Sequence, residues 1–228
     1  MTASFESGSN WGDVRFYVGR PQSATFDRTL TRVFDVSVSV VALIFLMPLM
    51  ILVVAAIWLF DPGPVFFAHP RVGRGNVMFP CLKFRSMKVD SAALLKQALE
   101  ADPALREEWN RSQKLKNDPR ITLIGKFLRK SSIDELPQLI NVLRGEMSLV
   151  GPRPITPSEI QHYGRYFDFY CRVQPGITGF WQISGRSDVS YRRRVAFDVT
   201  YVRTKTLRLN IAIILKTVPA ILMAKGSY

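Results

Sequence analysis

The dominant feature of the hydropathy pattern is Val36–Phe60, 25 residues without a charge. As one straight helix it would be about 37 Å long, enough for a bilayer core of about 30 Å. Its late start, its length and the lack of a small-residue cleavage site after it argue against a signal peptide. Pro48 stands at its midpoint, where it removes a backbone donor and frees the Ile44 carbonyl. From the residues, two arrangements stay open. One is a bent single span; the other is a hairpin that dips in, turns at Pro48 and returns to the same face. Arg28 and Arg32 precede the segment while Arg71 and Arg74 follow it, so the basic residues select no orientation.

The pattern on either side is shorter in period. Met1–Asp27 is polar and reads as a loose tail. After the breaker Asp61-Pro62-Gly63-Pro64, Val65–Phe67 and Val77–Phe84 read as two short strands around the turn-prone Arg71–Asn76. Asp90–Glu100 and Pro103–Lys116 are helical in pattern. Ile121–Arg129 puts Ile121, Ile124, Phe127 and Leu128 on one side and basic residues on another, an amphipathic helix. Leu136, Leu139, Ile140 and Leu143 mark a further helix ending near Gly145. Gly151-Pro152-Arg153-Pro154 cannot be regular helix and should be a stiff loop. Ser158–Tyr170 looks helical, and Pro175–Arg186 is an irregular, aromatic-rich connection. About 210–224 the chain is apolar but too short to span, which predicts a helix lying in a membrane interface.

Composition narrows the partners. The net charge of +13 calls for something anionic: nucleic acid, acidic lipid or a phosphorylated small molecule. Cys81 and Cys171 are far apart, and His69 and His162 are isolated, so neither a disulfide framework nor a zinc site is expected. A nucleic-acid binder lacks support, because no recognition helix or zinc pattern appears and aromatics are not interleaved with the basic runs.

The candidate chemistry is the acid pair Asp134 and Glu135 in a strongly basic chain. A plain structural account exists. Ser132 and Glu135 have capping-box spacing, or Asp134 could cap the following helix, with Pro137 then at its third position. On that account the chain is an anchor or scaffold without catalysis. The surroundings favour chemistry. Lys83, Arg85 and Lys88 lie in one short run, Arg129 and Lys130 just upstream, and Arg153 in the stiff loop downstream. Converging, they would neutralise a diphosphate. Two carboxylates beside a diphosphate suit Mg²⁺, and an ionised aspartate there could attack phosphorus.

KFRSM (Lys83–Met87), DELPQLINVLRGEMSLVGPRP (Asp134–Pro154), RVQPGITGFWQISGR (Arg172–Arg186) and FDVTYV (Phe197–Val202) closely resemble the bacterial sugar transferase family, the monotopic polyprenyl-phosphate phosphoglycosyl transferases. The resemblance runs from about Arg32 to Tyr228. It implies a mainly α protein with a small β-hairpin (α+β): a re-entrant membrane helix over 28–61 broken near Pro48, then a catalytic domain over 62–228 on the cytoplasmic face of the bacterial inner membrane. It implies transfer of hexose-1-phosphate, with galactose or glucose favoured, from a UDP-sugar to undecaprenyl phosphate, opening exopolysaccharide or glycoconjugate synthesis. Asp134 matches the nucleophile of a ping-pong reaction and Glu135 the acid that helps bind Mg²⁺, with Asp134 beside it. Lys83, Arg85, Arg129, Gly151, Pro152, Arg153, Pro154 and Arg186 match substrate-binding positions. The implied partners are the UDP-sugar, undecaprenyl phosphate and inner-membrane lipid; no nucleic acid is expected, and a homo-oligomer stays open. Members often carry Ser before the helix-breaking proline, where this chain has Met47.

Overall fold

A computed structural model describes residues 24–112, 115–184 and 189–222. Most of the expected polar tail, Arg186 and the end of the expected 210–224 helix lie outside the described residues.

The described chain is mostly helical with a small two-stranded sheet, as expected. The apolar segment lies in α1 (Ala24–Phe60), a single helical element of 37 residues with Pro48 inside it. It is long and apolar enough to cross a membrane, and only 11% of its most apolar window is buried. Ile44, Phe45, Leu52 and Leu59 stand exposed along it.

Its first half carries a different face. Thr31, Asp35 and Ser39, at i, i+4 and i+8, are buried. Asp35 accepts from the Ser148 hydroxyl (2.6 Å) and the Leu149 amide (3.4 Å). Arg32 donates to the Val142 and Leu143 carbonyls (2.5 and 2.8 Å) in the last turn of the helix α5 (Gln138–Arg144), where Val142 O also accepts from the Gly145 cap amide (3.0 Å). The second half of α1 docks elsewhere: Val53 and Ile57 pack against Phe84 and Leu128. Both halves of the apolar helix therefore grip the same globular body.

That body begins with the antiparallel ribbon β1 (Phe66–Val72) and β2 (Met78–Phe84), in register from Phe66 opposite Phe84 to Val72 opposite Met78. β1 is longer than the Val65–Phe67 the sequence suggests. Pro70 sits opposite Pro80, and a two-stranded ribbon has only open edges, so a proline's missing donor is tolerated there. The open edge of β2 is closed by Asn141 of α5, whose amide donates to Pro80 O (2.8 Å) and accepts from Leu82 N (2.9 Å).

Helices α2 (Ser91–Ala101) and α3 (Pro103–Ser112) follow, then α4 (Leu123–Ser131), whose N-cap Thr122 accepts from Gly125 N (2.9 Å). The three-residue strands β3 (Ser148–Val150) and β4 (Gly176–Thr178) pair in parallel, an element with no sequence signal. The stretch expected as one helix over 158–170 is broken at Gly164 (φ +48°) into α6 (Ile160–Tyr163) and α7 (Phe167–Cys171), with 3-10 turns before each. The helices α8 (Tyr191–Thr204) and α9 (Leu207–Leu222) close the fold. The main core gathers Phe79, Leu139, Val142, Met147, Tyr201 and Ile213, with Phe34 and Val38 of α1 laid over it. Ile213 of α9 is fully buried while Leu215 is exposed, so α9 is docked by one face.

Candidate active site

Asp134 and Glu135 occupy a 3-10 turn, Ile133–Glu135, between α4 and α5. Ser132 just before them is left-handed (φ +58°) and reverses the chain out of α4. Neither capping account holds. Ser132 and Pro137 precede the 3-10 turn and α5, and neither contributes a side-chain cap bond. The carboxylates are therefore not engaged in capping. Ile133 and Leu136, flanking the pair, pack into the cluster of Val53, Ile57, Phe84 and Leu128. Apolar anchors on both sides fix the turn and aim the acids away from that cluster.

Lys83 of β2 bridges them, with Nζ 2.6 Å from Glu135 Oε1 and 3.7 Å from Asp134 Oδ2. The two acids are pushed apart in acidity. Burial raises the Asp134 carboxyl; Lys83 opposes this, while the Glu135 charge adds to it. Burial would raise Glu135 too, but Lys83, then Arg153 and Arg71, outweigh it and hold that carboxyl below its ordinary range. One member is thus the more basic oxygen nucleophile, and the other the more persistently charged.

Arg129 of α4 is half-buried, donates from Nε to Ser86 Oγ (2.9 Å), and adds a positive charge facing Asp134. In the Gly151–Pro154 loop, Gly151, Pro152 and Pro154 are buried and only Arg153 is exposed. The loop is knitted to β4 itself: Gly151 N donates to Thr178 O (2.9 Å) and Gly176 N to Pro152 O (2.8 Å). A Cβ on Gly151 would stand 2.5 Å from Gln174 O, so only glycine allows this approach. Arg153 lends its charge to Glu135, Glu159 and Arg71.

The structure thus brings Lys83, Arg129 and Arg153 toward the acid pair. Arg85 is different. It is buried, ion-paired with Asp61 (3.3 Å) and also bonded to the Asp61 carbonyl, beside a separate cavity. Two participants were missed. Arg71 donates to Pro154 O (3.2 Å) and Glu159 (3.4 Å), tying the ribbon to the proline loop. Glu159 also accepts from the Thr156 amide (2.7 Å). Arg71 was legible only as a charge flanking the apolar segment, since its partners lie more than 80 residues away in sequence.

Among the described residues no group of three or more His, Cys, Asp or Glu could hold a metal ion by itself. Asp134 and Glu135 do fit a magnesium site in which a diphosphate and water supply the remaining oxygens. The ammonium of Lys83 already sits between the two carboxylates, where a cation is stabilised.

The sequence matches the bacterial sugar transferase family over residues 26–224, and the chain belongs to that family. It is 48% identical over 197 residues to the exopolysaccharide production protein ExoY of Sinorhizobium fredii, covering 86% of this chain and 87% of the relative. It is 51% identical over 201 residues to the undecaprenyl-phosphate galactose phosphotransferase of Salmonella typhimurium, covering 88% of this chain but 42% of that longer protein. The UDP-galactose-lipid carrier transferase of Erwinia amylovora is 48% identical over 201 residues, with coverages of 88% and 42%.

Proposed function

We propose that this chain transfers hexose-1-phosphate from a UDP-sugar to undecaprenyl phosphate and releases UMP. The observation that carries this reading is the buried Asp134, raised in pKa, next to a Glu135 held ionised by Lys83 and Arg153. An Asp134 oxygen attacks the β-phosphorus of the donor; the bond from that phosphorus to the bridging oxygen breaks, and UMP leaves. The aspartyl phosphosugar is then attacked at the same phosphorus by a phosphate oxygen of the lipid. The aspartyl–phosphorus bond breaks, the carboxylate of Asp134 is regenerated, and a polyprenyl diphosphosugar departs. Lys83, Arg129 and Arg153 offset the phosphate charge during both displacements. Glu135 and Asp134 would hold Mg²⁺, which when bound neutralises charge on the donor diphosphate. The relatives' names support galactose as the sugar, with glucose the next to test.

The seating of α1 supports the re-entrant reading. Arg32 and Asp35 near one end, and Val53 and Ile57 near the other, all contact the same body, which a straight span would place on opposite sides of a bilayer. A domain pinned to the cytoplasmic face of the inner membrane would bring a soluble donor and a lipid phosphate to one plane.

Asp134→Asn tests the chemistry. UMP release from a panel of UDP-sugars should fall on the order of a thousandfold, and the wild type incubated without acceptor should yield an Asp134-bound phosphosugar by mass spectrometry. Wild-type turnover by the variant would sink the reading. For the topology, Arg28→Cys and Pro62→Cys in a cysteine-free background should both react with an impermeant thiol reagent from the same face of a vesicle. Reaction from opposite faces would establish a span instead.

A further inference from the structure

The corner between the membrane helix and the globular body is built around one side chain. Asp61 follows the last residue of α1, and its amide still donates to Ile57 O (3.0 Å). Pro62 and Pro64 then supply no backbone donors. The last turn of α1 also lacks a basic residue to face its free carbonyls. Arg85, just past the end of β2, meets both needs. Its Nη2 donates to Asp61 O and stands 3.3 Å from Asp61 Oδ2, while its own amide donates to Val65 O (2.8 Å). One residue thus holds both ends of the corner at 61–65.

Gly63 leaves the room for this. A Cβ there would stand 2.5 Å from Arg85 Nη1, and its φ of +142° is one that side chains rarely adopt. Arg85 is 9% exposed, and its Nη1 has no acceptor among the described residues. The guanidinium is enclosed by the corner rather than presented to the acid pair. The cations that act most on Asp134 and Glu135 are Lys83, Arg129, Arg153 and Arg71.

The strap beyond Arg85 carries the position of the corner toward the nucleophile. Ser86 Oγ accepts from Arg129 Nε (2.9 Å), its carbonyl accepts from Thr122 N (3.2 Å), and Gly125 of α4 packs on its backbone. Met87 bridges to Ile121, and Lys88 N donates to Arg120 O (2.8 Å). Residues 85–88 therefore join the exit of α1 to the start of α4. Arg129, near the other end of α4, faces Asp134. A displacement of Arg85 reaches Ser86 through one peptide unit, and Arg129 through one hydrogen bond more.

Resting on the transferase reading, we infer that Arg85 is a positioning residue for the nucleophile: it fixes where the membrane helix leaves the body and, through Ser86 and Arg129, where Asp134 stands, without touching substrate. The seating of α1 and the rate of the chemistry are coupled through this corner.

Three variants of the full chain in phosphatidylcholine nanodiscs test it. Asp61→Asn removes the ion pair but keeps the carbonyl contact, Arg85→Met removes both, and Gly63→Ala pushes the guanidinium from its seat without changing any charge. Arg85→Met and Gly63→Ala should each lower kcat for UMP release about tenfold to a hundredfold with the donor KM unchanged, and Asp61→Asn should lose less. The double variant Asp61→Asn with Arg85→Met should lose no more than Arg85→Met alone, because both act through one contact. Amides over 129–136 should exchange with deuterium faster in all three, while those of β3 and α8 stay unchanged. Retained melting temperatures show that the variants are folded, and the isosteric Asp61→Asn keeps the test open if Arg85→Met unfolds. Wild-type kcat in folded variants would overturn the inference, as would a raised donor KM at unchanged kcat, which would make Arg85 a substrate contact. Additive losses in the double variant, or unaltered exchange over 129–136, would overturn it too. If the wild type itself releases no UMP, the transferase reading fails, and the exchange measurement alone decides whether the corner positions the acid turn.

Discussion

Gly125 is where the position of the acid pair is most open to a single methyl group. It lies inside α4 and is buried against Ser86. A Cβ there would stand 2.9 Å from Ser86 Cα, 2.7 Å from its carbonyl carbon and nearer still to the carbonyl oxygen. Comfortable carbon contacts begin near about 3.5 Å, so α4 and the Ser86 backbone must part by about 1 Å. Such overpacking costs about 1–3 kcal/mol. Alanine recovers up to about 1 kcal/mol of helix propensity, leaving a net loss of up to about 2 kcal/mol. For a chain of this size that is a fall in melting temperature of up to about 8 °C. The larger effect is on rate. Arg129 is four residues on in the same helix and bonds Ser86, and the acid turn follows directly after α4. A shift of about 1 Å at a reacting centre costs about a hundredfold. Gly125→Ala should therefore lose far more UMP release than stability, as read by a coupled UMP assay and a thermal-shift assay on the same preparation. Undiminished turnover with an unchanged melting temperature would refute the claim that the α4–Ser86 contact positions the site.

Lys83→Met removes the cation that lowers both carboxyls, so the acid limb of the pH–rate profile should move to higher pH; an unmoved limb would separate Lys83 from the catalytic ionisation. Tyr201, fully buried, donates to Val150 O (2.8 Å) and meets Asn210 Oδ1 (2.9 Å), so Tyr201→Phe leaves buried acceptors unpaired and should cost about 1–3 kcal/mol in chemical denaturation. Asp198 is buried under the Tyr163 hydroxyl (2.7 Å), and burial pushes its carboxyl up to about 7 despite Tyr163 and Arg194. Its protonated form contributes stability that is fully present below about pH 3.8 and is lost as pH rises to about 7. Asp198→Asn should flatten that slope in melting temperatures taken between pH 5 and 8, and an unchanged slope would assign it to another group.

The helices and the ribbon could be read because their signals are local: charge-free length for α1, apolar spacing for α4 and α5, and a turn between β1 and β2. What escaped depends on distance. Three-residue parallel strands carry no periodicity, and β3 with β4 exists because Gly151 and Gly176 allow two backbones to touch. Pro70 hid most of β1 because proline usually ends a strand, and only the register shows it opposite Pro80 of β2. At the site, the acids, Lys83, Arg129 and Arg153 were legible as a concentration of charge. The separation of Arg85 into its pairing with Asp61, and the recruitment of Arg71 and Glu159, required the fold. The capping pattern at Ser132 was a true local match that tertiary packing overrode: Ile133 and Leu136 set the turn, and Ser132 was turned left-handed instead.

The bond between Asp35 and Ser148 spans 113 residues, and it has a consequence in time. Ribosomes deliver about 5–20 residues per second, so the head of α1 waits about 6–23 s for its hydroxyl partner to be made. During that interval an acidic side chain sits directly before a 25-residue apolar stretch, with Arg32 one turn earlier as its nearest positive charge in the sequence. The membrane helix, although synthesised early, cannot complete its seating until β3 has left the ribosome. Messages truncated before codon 148 should therefore yield chains that a membrane quality-control protease removes, whereas those cut after the ribbon, α5 and β3 are complete can hold the helix in place.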